Sequence, residues 1–190
     1  MAARFLRRRT EGSADMEFFK SRALEMGFSA AAPLDPAKLE PEAFVRDMCA
    51  ADRCHAYGRN WTCPPACGTL EECGRRLRRC RRGLLVQTTG RLSGVFDARG
   101  VTETENCHLA RFQAFSDWVR QLEPEALCLG AGGCRLCGTC AYPEPCRFPE
   151  RACSPMEAYG LFVTRVCREC GVPYYYGEGT ITYTSCVLLP

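Results

Sequence analysis

Residues 130–149 read GAGGCRLCGTCAYPEPCRFP and place four cysteines close together, at Cys134, Cys137, Cys140 and Cys146. Thiols in such proximity can pair as disulfides, bind a metal, or pack as small apolar side chains. Much of the protein's function depends on which of these three outcomes applies. The rest of the sequence has to decide among the three.

The composition argues against a disulfide scaffold. With 190 residues, 46% of them hydrophobic, the chain can bury one core without crosslinks, so its 16 cysteines need another explanation. The start, MAARFLRRRTEGSADMEFF, has no apolar region and no small-residue cleavage site after its arginines. No stretch approaches the roughly 18 apolar residues of a membrane span. We therefore predict a cytoplasmic protein without membrane association, in which clustered reduced thiols serve metal or redox chemistry.

Hydrophobic periodicity and turn residues predict an α+β fold in a single domain over residues 1–190, with residues 1–13 disordered. A small mixed sheet with packed helices is interrupted by two cysteine-rich metal-binding loops. The predicted strands cover 28–34, 83–89, 125–132 and 180–189, and the predicted helices cover 14–28, 41–51, 69–82, 102–122 and 154–171.

Three capping boxes mark predicted helix starts, and apolar spacing marks the buried faces. The boxes pair a Ser or Thr with a Glu three residues later, at Thr69, Thr102 and Ser154. In the helix predicted over 69–82, cysteines share one helical face with leucines. We therefore interpret these cysteines as core residues. The expected buried faces are Leu70, Cys73, Leu77 and Cys80; Phe112, Phe115, Val119 and Leu122; and Phe18, Leu24 and Phe28.

The downstream cysteine group, Cys134, Cys137, Cys140 and Cys146, has gaps of two, two and five residues. Gaps of two let neighbouring thiolates converge on one cubic cluster, as in bacterial ferredoxins, whose last gap is three residues and precedes a proline. Here the last gap is longer, so the fourth ligand of this group is the least certain.

The upstream group lies in MCAADRCHAYGRNWTCPPACG and consists of Cys49, Cys54, Cys63 and Cys67. Its gaps of four, eight and three are less diagnostic, but glycines and prolines between the thiols permit a backbone that wraps a cluster. Tyr57 and Trp61 are either shields for such a cluster or ordinary core aromatics.

Eight thiols in two groups suit two 4Fe-4S clusters, and a single cluster drawing ligands from both loops is also compatible with them. Zinc is the alternative metal, although structural zinc usually takes paired C-x-x-C knuckles, which match the C-x-x-C-x-x-C run poorly. Each four-thiolate cluster adds a charge of about −2, so two clusters would change the formal net charge of +3 to about −1.

Three stretches resemble a known family: CHAYGRNWTCPPACGTLEEC, LGAGGCRLCGTCAYPEPCRFPERACSPMEAYGLFVT and PYYYGEGTITYTSCVLL. They look like the uncharacterised, cysteine-rich predicted metal-binding proteins of anaerobic bacteria and methanogenic archaea. The resemblance covers most of the chain from about Cys49 to Leu189 and implies a metal-binding, iron-sulfur domain without assigning a reaction. By position, the cysteines that match the family's pattern, and for which the resemblance implies metal binding, are Cys49, Cys54, Cys63, Cys134, Cys137, Cys140 and Cys146. Cys67 is only weakly part of that pattern.

Other chemistry-bearing residues have ordinary interpretations beside the functional ones. The arginine-rich segment 74–82 is either a solvated helix face or a docking patch for an acidic redox partner, and nucleic acid is the weaker partner because no aromatic-rich binding motif accompanies it. Cys167 and Cys170 form a further C-x-x-C, but at a helix end where the dipole does not lower a thiol pKa. Glu157 and Tyr159 are possible site residues, and His108 is assigned a structural role.

The sequence thus predicts a metal-binding protein with one or two 4Fe-4S clusters, acting in electron transfer with a protein redox partner or as a redox component of an anaerobic enzyme system. One alternative is a zinc-stabilised interaction module. The other is an iron-sulfur enzyme with an open iron site, which would need only three cysteines at that cluster. The oligomeric state is left open.

Overall fold

The computed structural model describes residues 16–190. Five helices, two short 3₁₀ turns and five strands occur in this part of the chain. The helices are α1 (16–25), α2 (Ala43–Ala50), α3 (Leu70–Leu77), α4 (Ala98–Leu122) and α5 (Val163–Glu169). The 3₁₀ turns are Pro36–Lys38 and Glu157–Tyr159, and the strands are β1 (Ala30–Leu34), β2 (Arg82–Arg91), β3 (Leu127–Gly130), β4 (Ser154–Pro155) and β5 (Thr180–Leu189).

The strands form one mixed sheet in the order β1-β2-β5-β3-β4. The ten-residue strands β2 and β5 pair antiparallel along their whole length, from Arg82 opposite Leu189 to Arg91 opposite Thr180. β1 and β3 add antiparallel neighbours on either side, and the short β4 pairs parallel with β3. The predicted α+β class with a small mixed sheet is confirmed.

Alternation along β2 divides the core between the two faces of the sheet. Leu84 and Val86 point to the face covered by α1 and α4, whereas Leu85 points to the face covered by α3 and α5. Both faces are packed, so these strands are apolar in a continuous run. Cys73, Leu77 and Cys80 are buried on the second face, which confirms their interpretation as core residues.

Several predicted details are wrong at the ends and faces of helices. Phe18, Leu24 and Leu122 are exposed, and α1 buries Met16, Phe19 and Ala23 against the sheet instead. The helix predicted over 69–82 ends at Leu77, although its capping box at Thr69 is confirmed. No helix within residues 16–190 has the length and apolar composition of a membrane span.

The start of α4 differs from the capping box predicted at Thr102. The helix begins at Ala98 because Asp97 caps it, accepting a hydrogen bond from the Gly100 backbone N–H at 2.8 Å. Thr102 lies one turn inside the helix, where its hydroxyl donates to the Ala98 carbonyl. An aspartate cap is as favourable as a threonine cap, so the earlier residue takes the role.

The helix predicted over 154–171 is also wrong. Ser154 and Pro155 form strand β4 beside β3, and Gly160 then turns the chain with a positive φ of 74°. A Cβ at Gly160 would lie 2.5 Å from the Leu70 Cδ1 atom, so this close approach requires glycine. Within this range, only Val163–Glu169 is α-helical. The predicted domain extent of 1–190 stays a prediction, and the disorder predicted for 1–13 lies outside the described residues.

His108 has the structural role that we assigned to it. Its ring is fully buried on α4, with Nδ1 3.0 Å from the Thr88 hydroxyl and Nε2 2.7 Å from the Ser185 hydroxyl. Burial, assisted by the nearby Arg111 charge, lowers the pKa of His108 to about 4. The neutral imidazole therefore joins α4 to β2 and β5.

This buried histidine predicts acid-sensitive stability. Its folded-state pKa of about 4 lies below the unfolded value of about 6.5, so the unfolded chain binds the proton first as the pH falls. We expect His108 to contribute a loss of about 3 kcal/mol in the free energy of unfolding as the pH falls from about 6.5 to about 4. Urea denaturation at several pH values across this range gives the free energy of unfolding as a function of pH. This free energy should fall less steeply with decreasing pH in His108→Gln than in the wild-type protein. Equal slopes in the two proteins would contradict the prediction.

Candidate metal centre

The upstream cysteine loop connects α2 to α3. Cys49 stands near the end of α2, and the chain then turns repeatedly through left-handed residues, among them His55 with φ of 56° and Gly58 with φ of 64°. The loop closes on itself through a 2.8 Å hydrogen bond from the Gly58 N–H to the Pro64 carbonyl. Such a winding backbone presents side chains inward from several directions, as a ligand-wrapping loop requires.

Three of the four upstream thiols meet at one cavity. Cys49, Cys54 and Cys63 line a space of about 320 Å³, together with the carboxyl group of Glu157 from the 3₁₀ turn after β4. Burial raises the pKa of the Cys63 thiol to about 11, and burial together with the Glu157 charge raises that of Cys49. The Cys63 thiol is therefore protonated without a metal, and metal binding would release its proton.

Cys67 is not brought to this cavity. Its thiol is buried beside Cys73, and its Sγ atom lies 3.7 Å from the Ala158 carbonyl oxygen. The hydrogen bond between the two thiols raises the pKa of Cys67 and lowers that of Cys73, which also has the Arg46 guanidinium 3.8 Å from its sulfur. The two cysteines thus form a separate buried thiol pair.

The downstream cysteine loop connects β3 to β4. All four of its thiols, Cys134, Cys137, Cys140 and Cys146, are half-buried and line a second cavity, which is narrow at about 20 Å³. Trp61 from the upstream loop lines the same cavity. Burial raises the pKa of Cys134. The four cysteines that the spacing predicts as one group therefore line the same cavity.

Direct contacts join the two loops. The Asn60 side-chain amide donates to the Cys134 carbonyl, and the Cys134 N–H donates to the Thr62 hydroxyl, both at 3.2 Å. Trp61 donates from its indole nitrogen to the Glu144 carbonyl at 2.8 Å, and its ring packs edge-on against Tyr142. These contacts link positions more than 70 residues apart and hold the two cysteine groups side by side.

The two cavities are lined by adjacent residues. Thr62 and Cys134 line the narrow cavity, whereas the neighbours Cys63 and Gly133 line the wide one. A Cβ built on Gly133 would lie 3.6 Å from the Cys63 sulfur, so glycine leaves the space beside this thiol open. The two cavities are therefore lined by residues that are neighbours in the sequence.

The donor set is that of a thiolate metal site. Soft thiolates select zinc and iron-sulfur clusters over hard cations, so the chemistry of the donors fits either group. Among residues 16–190, no three His, Cys, Asp or Glu side chains are grouped closely enough to hold one metal ion. The wide cavity, at about 320 Å³ and open to the outside, has room for more than a single ion.

Some residues at the site were missed or only partly recognised from sequence. Glu157, suggested as a site residue, does line the wide cavity, whereas Tyr159 accepts a hydrogen bond from Arg76 away from it. Asn60 and Thr62 were missed, although the Asn60 side chain accepts from both the N–H and the hydroxyl of Thr62. An Asn two residues before a Thr is a local turn signal that could have identified them.

The remaining sequence hypotheses lie elsewhere in the fold. Cys167 is buried between α5 and the sheet, 3.5 Å from the Gln87 amide nitrogen, and burial raises the pKa of Cys170 to about 12. High thiol pKa values oppose the reactivity of a redox dithiol. Arg76 of the arginine-rich segment turns inward to the Cys67 carbonyl, at 2.9 Å.

These features define a class of protein: a cysteine-rich α+β fold in which two thiol-lined cavities lie side by side. Within this class, the chain belongs to the family described as "Predicted metal-binding protein (DUF2284)", whose model matches residues 32–189. The resemblance to a cysteine-rich metal-binding family is confirmed, and metal binding is the function that this membership supports. No curated protein and no solved structure matches the chain.

Proposed function

We propose that the protein holds two 4Fe-4S clusters and transfers electrons, either as a carrier or as the redox component of an anaerobic enzyme system. Cys49, Cys54 and Cys63 would hold the upstream cluster, and Cys134, Cys137, Cys140 and Cys146 the downstream one. When bound, such clusters supply one-electron redox chemistry. The reduced thiols that this requires agree with the cytoplasmic location expected from the sequence.

One observation carries the proposal: the two cysteine groups lie side by side. Residues adjacent in sequence, Thr62 and Cys63 on one loop and Gly133 and Cys134 on the other, line different cavities. Two redox centres in this arrangement would be neighbours in the fold, between which electrons could pass. A stabilising role alone would not require two metal sites to be neighbours.

The protein's own groups would set the potential of each centre through burial, charge and hydrogen bonding. The two groups differ in exposure, since the upstream one combines the buried Cys63 with the exposed Cys54, whereas all four downstream thiols are half-buried. The two centres are therefore expected to differ in potential. A protein partner would deliver or accept the electrons.

Zinc is the second candidate, and one observation favours it at the downstream group. The downstream cavity of about 20 Å³ suits a single ion better than a multi-atom cluster, although its four thiols would still have to converge on that ion. The zinc alternative is a structural module in which the metal stabilises the fold.

Metal analysis of protein purified without oxygen tests the proposal. We expect about eight irons and eight acid-labile sulfides per chain, and a broad brown absorbance that bleaches with dithionite. Stoichiometric zinc in a colourless sample would overturn the redox function and favour the structural module. About four irons with one zinc would restrict the cluster to one loop and contradict electron transfer between two clusters.

A further inference from the structure

The position of Cys67 leaves the upstream centre one thiol short. Arg76 donates to the Cys67 carbonyl at 2.9 Å, and Arg46 donates to the carbonyls of Gly68 and Ala158 at 2.9 and 2.7 Å. The Cys67 thiol is enclosed by this arrangement at 6% exposure. Moving the backbone of Cys67 and Gly68 to bring this thiol into the wide cavity would break hydrogen bonds of both arginines, which is costly for partly buried charged groups.

Nothing else at the wide cavity replaces the missing thiol. The cavity has no histidine and no fourth cysteine among its lining residues. Among the described residues that line it, Glu157 supplies a carboxyl group and Arg53 a cationic group. The remaining wall is mostly apolar side chain and glycine, contributed by Val45, Met48, Tyr57, Pro64, Pro155, Gly132 and Gly133.

The cavity is also reachable from outside. Cys54, Met48 and Tyr57 are exposed at its edge, Met48 by 61% and Tyr57 by 37%, whereas Cys63 and Val45 are buried at its inner end. A site of this kind, mostly apolar with few polar groups, is typical of small-molecule binding sites.

We infer that the upstream centre is held by three thiolates, Cys49, Cys54 and Cys63, and that its fourth position binds a small, largely apolar molecule through one oxygen or sulfur donor atom. Glu157 faces the same space and offers a hydrogen bond to that molecule. This inference rests on the proposed iron-sulfur function. It makes the upstream centre a binding site and leaves electron delivery to the downstream centre.

Alanine variants of the full chain test the three-thiolate ligation. Cys67→Ala is expected to retain the wild-type iron and sulfide content, whereas Cys63→Ala should lose about four of about eight irons. Cys73→Ala is the matched control, because it breaks the same buried thiol pair as Cys67→Ala. If Cys67→Ala loses as much iron as Cys63→Ala while Cys73→Ala does not, Cys67 is a ligand and the inference fails.

Cyanide binding to the wild-type protein tests the open position without any variant. Electron paramagnetic resonance of the dithionite-reduced protein should show that cyanide shifts the signal of one cluster and leaves the other unchanged. Unchanged spectra for both clusters would overturn the inference while leaving the proposed electron transfer intact. A wild-type protein without iron would instead overturn the proposed function itself, so the two failures are distinguishable.

Discussion

Replacing both Cys137 and Cys140 by alanine is expected to remove about half of the iron and acid-labile sulfide, leaving about four irons per chain. These two thiols line only the narrow cavity and belong to a half-exposed loop, so their loss removes ligands without disturbing the core. Retention of the upstream cluster should leave a brown protein with about half the visible absorbance. Iron and sulfide analysis on anaerobically purified protein measures the effect.

Cys107→Ala provides the matched control for this double variant. Cys107 is a half-buried cysteine of α4 that lines neither thiol cavity. Its replacement should leave iron, sulfide and absorbance at wild-type values. A double variant that keeps all its iron would contradict the downstream site, and one that loses all of it would show that both loops share a single cluster.

The second large effect concerns the face of the sheet that supports the downstream loop. Phe115→Ala should lower the free energy of unfolding by about 3–5 kcal/mol, the usual range for a buried phenylalanine. Phe115 is fully buried on α4, with its ring 5.7 Å from Phe28 and 5.8 Å from Trp118. Removing the ring leaves a cavity between α1, α4 and the sheet, which the rigid neighbours cannot fill.

Anaerobic urea denaturation followed by tryptophan fluorescence measures this loss. The same substitution at Phe96, which is 96% exposed, is the control and should change the free energy of unfolding by less than about 0.5 kcal/mol. Similar values for the two variants would mean that α4 does not pack on the sheet as described.

The elements that sequence predicted well are those in which local rules act alone. The last strand was predicted over 180–189, and β5 has these bounds, because a β-branched apolar run between turn residues admits one interpretation. The capping box of Thr69 with Glu72 formed as expected, since both of its hydrogen bonds are local. Cys73 and Cys80 were placed in the core from their helical spacing with Leu77.

The largest failure occurred where a distant contact decided between local alternatives. Ser154 with Glu157 has the spacing of a capping box, yet the pairing of Ser154 and Pro155 with β3 makes this segment a strand. Gly160 then passes so close to Leu70 and Glu42 that the helix does not continue through it. The sequence near residue 154 indicates neither the pairing with β3 nor the close approach of Gly160 to Leu70 and Glu42.

The sequence by itself determined the class of fold, the metal-binding chemistry and the thiols available for it, because these depend on residue type, periodicity and short spacings. Only the tertiary structure decided which thiols meet. It brings three of the four upstream cysteines to one cavity, turns Cys67 towards Cys73, and sets the downstream group beside them through Asn60 and Thr62. The physical reason is that the two loops leave different elements, α2 and β3, and their relative position is set by the packing of the whole sheet rather than by either loop.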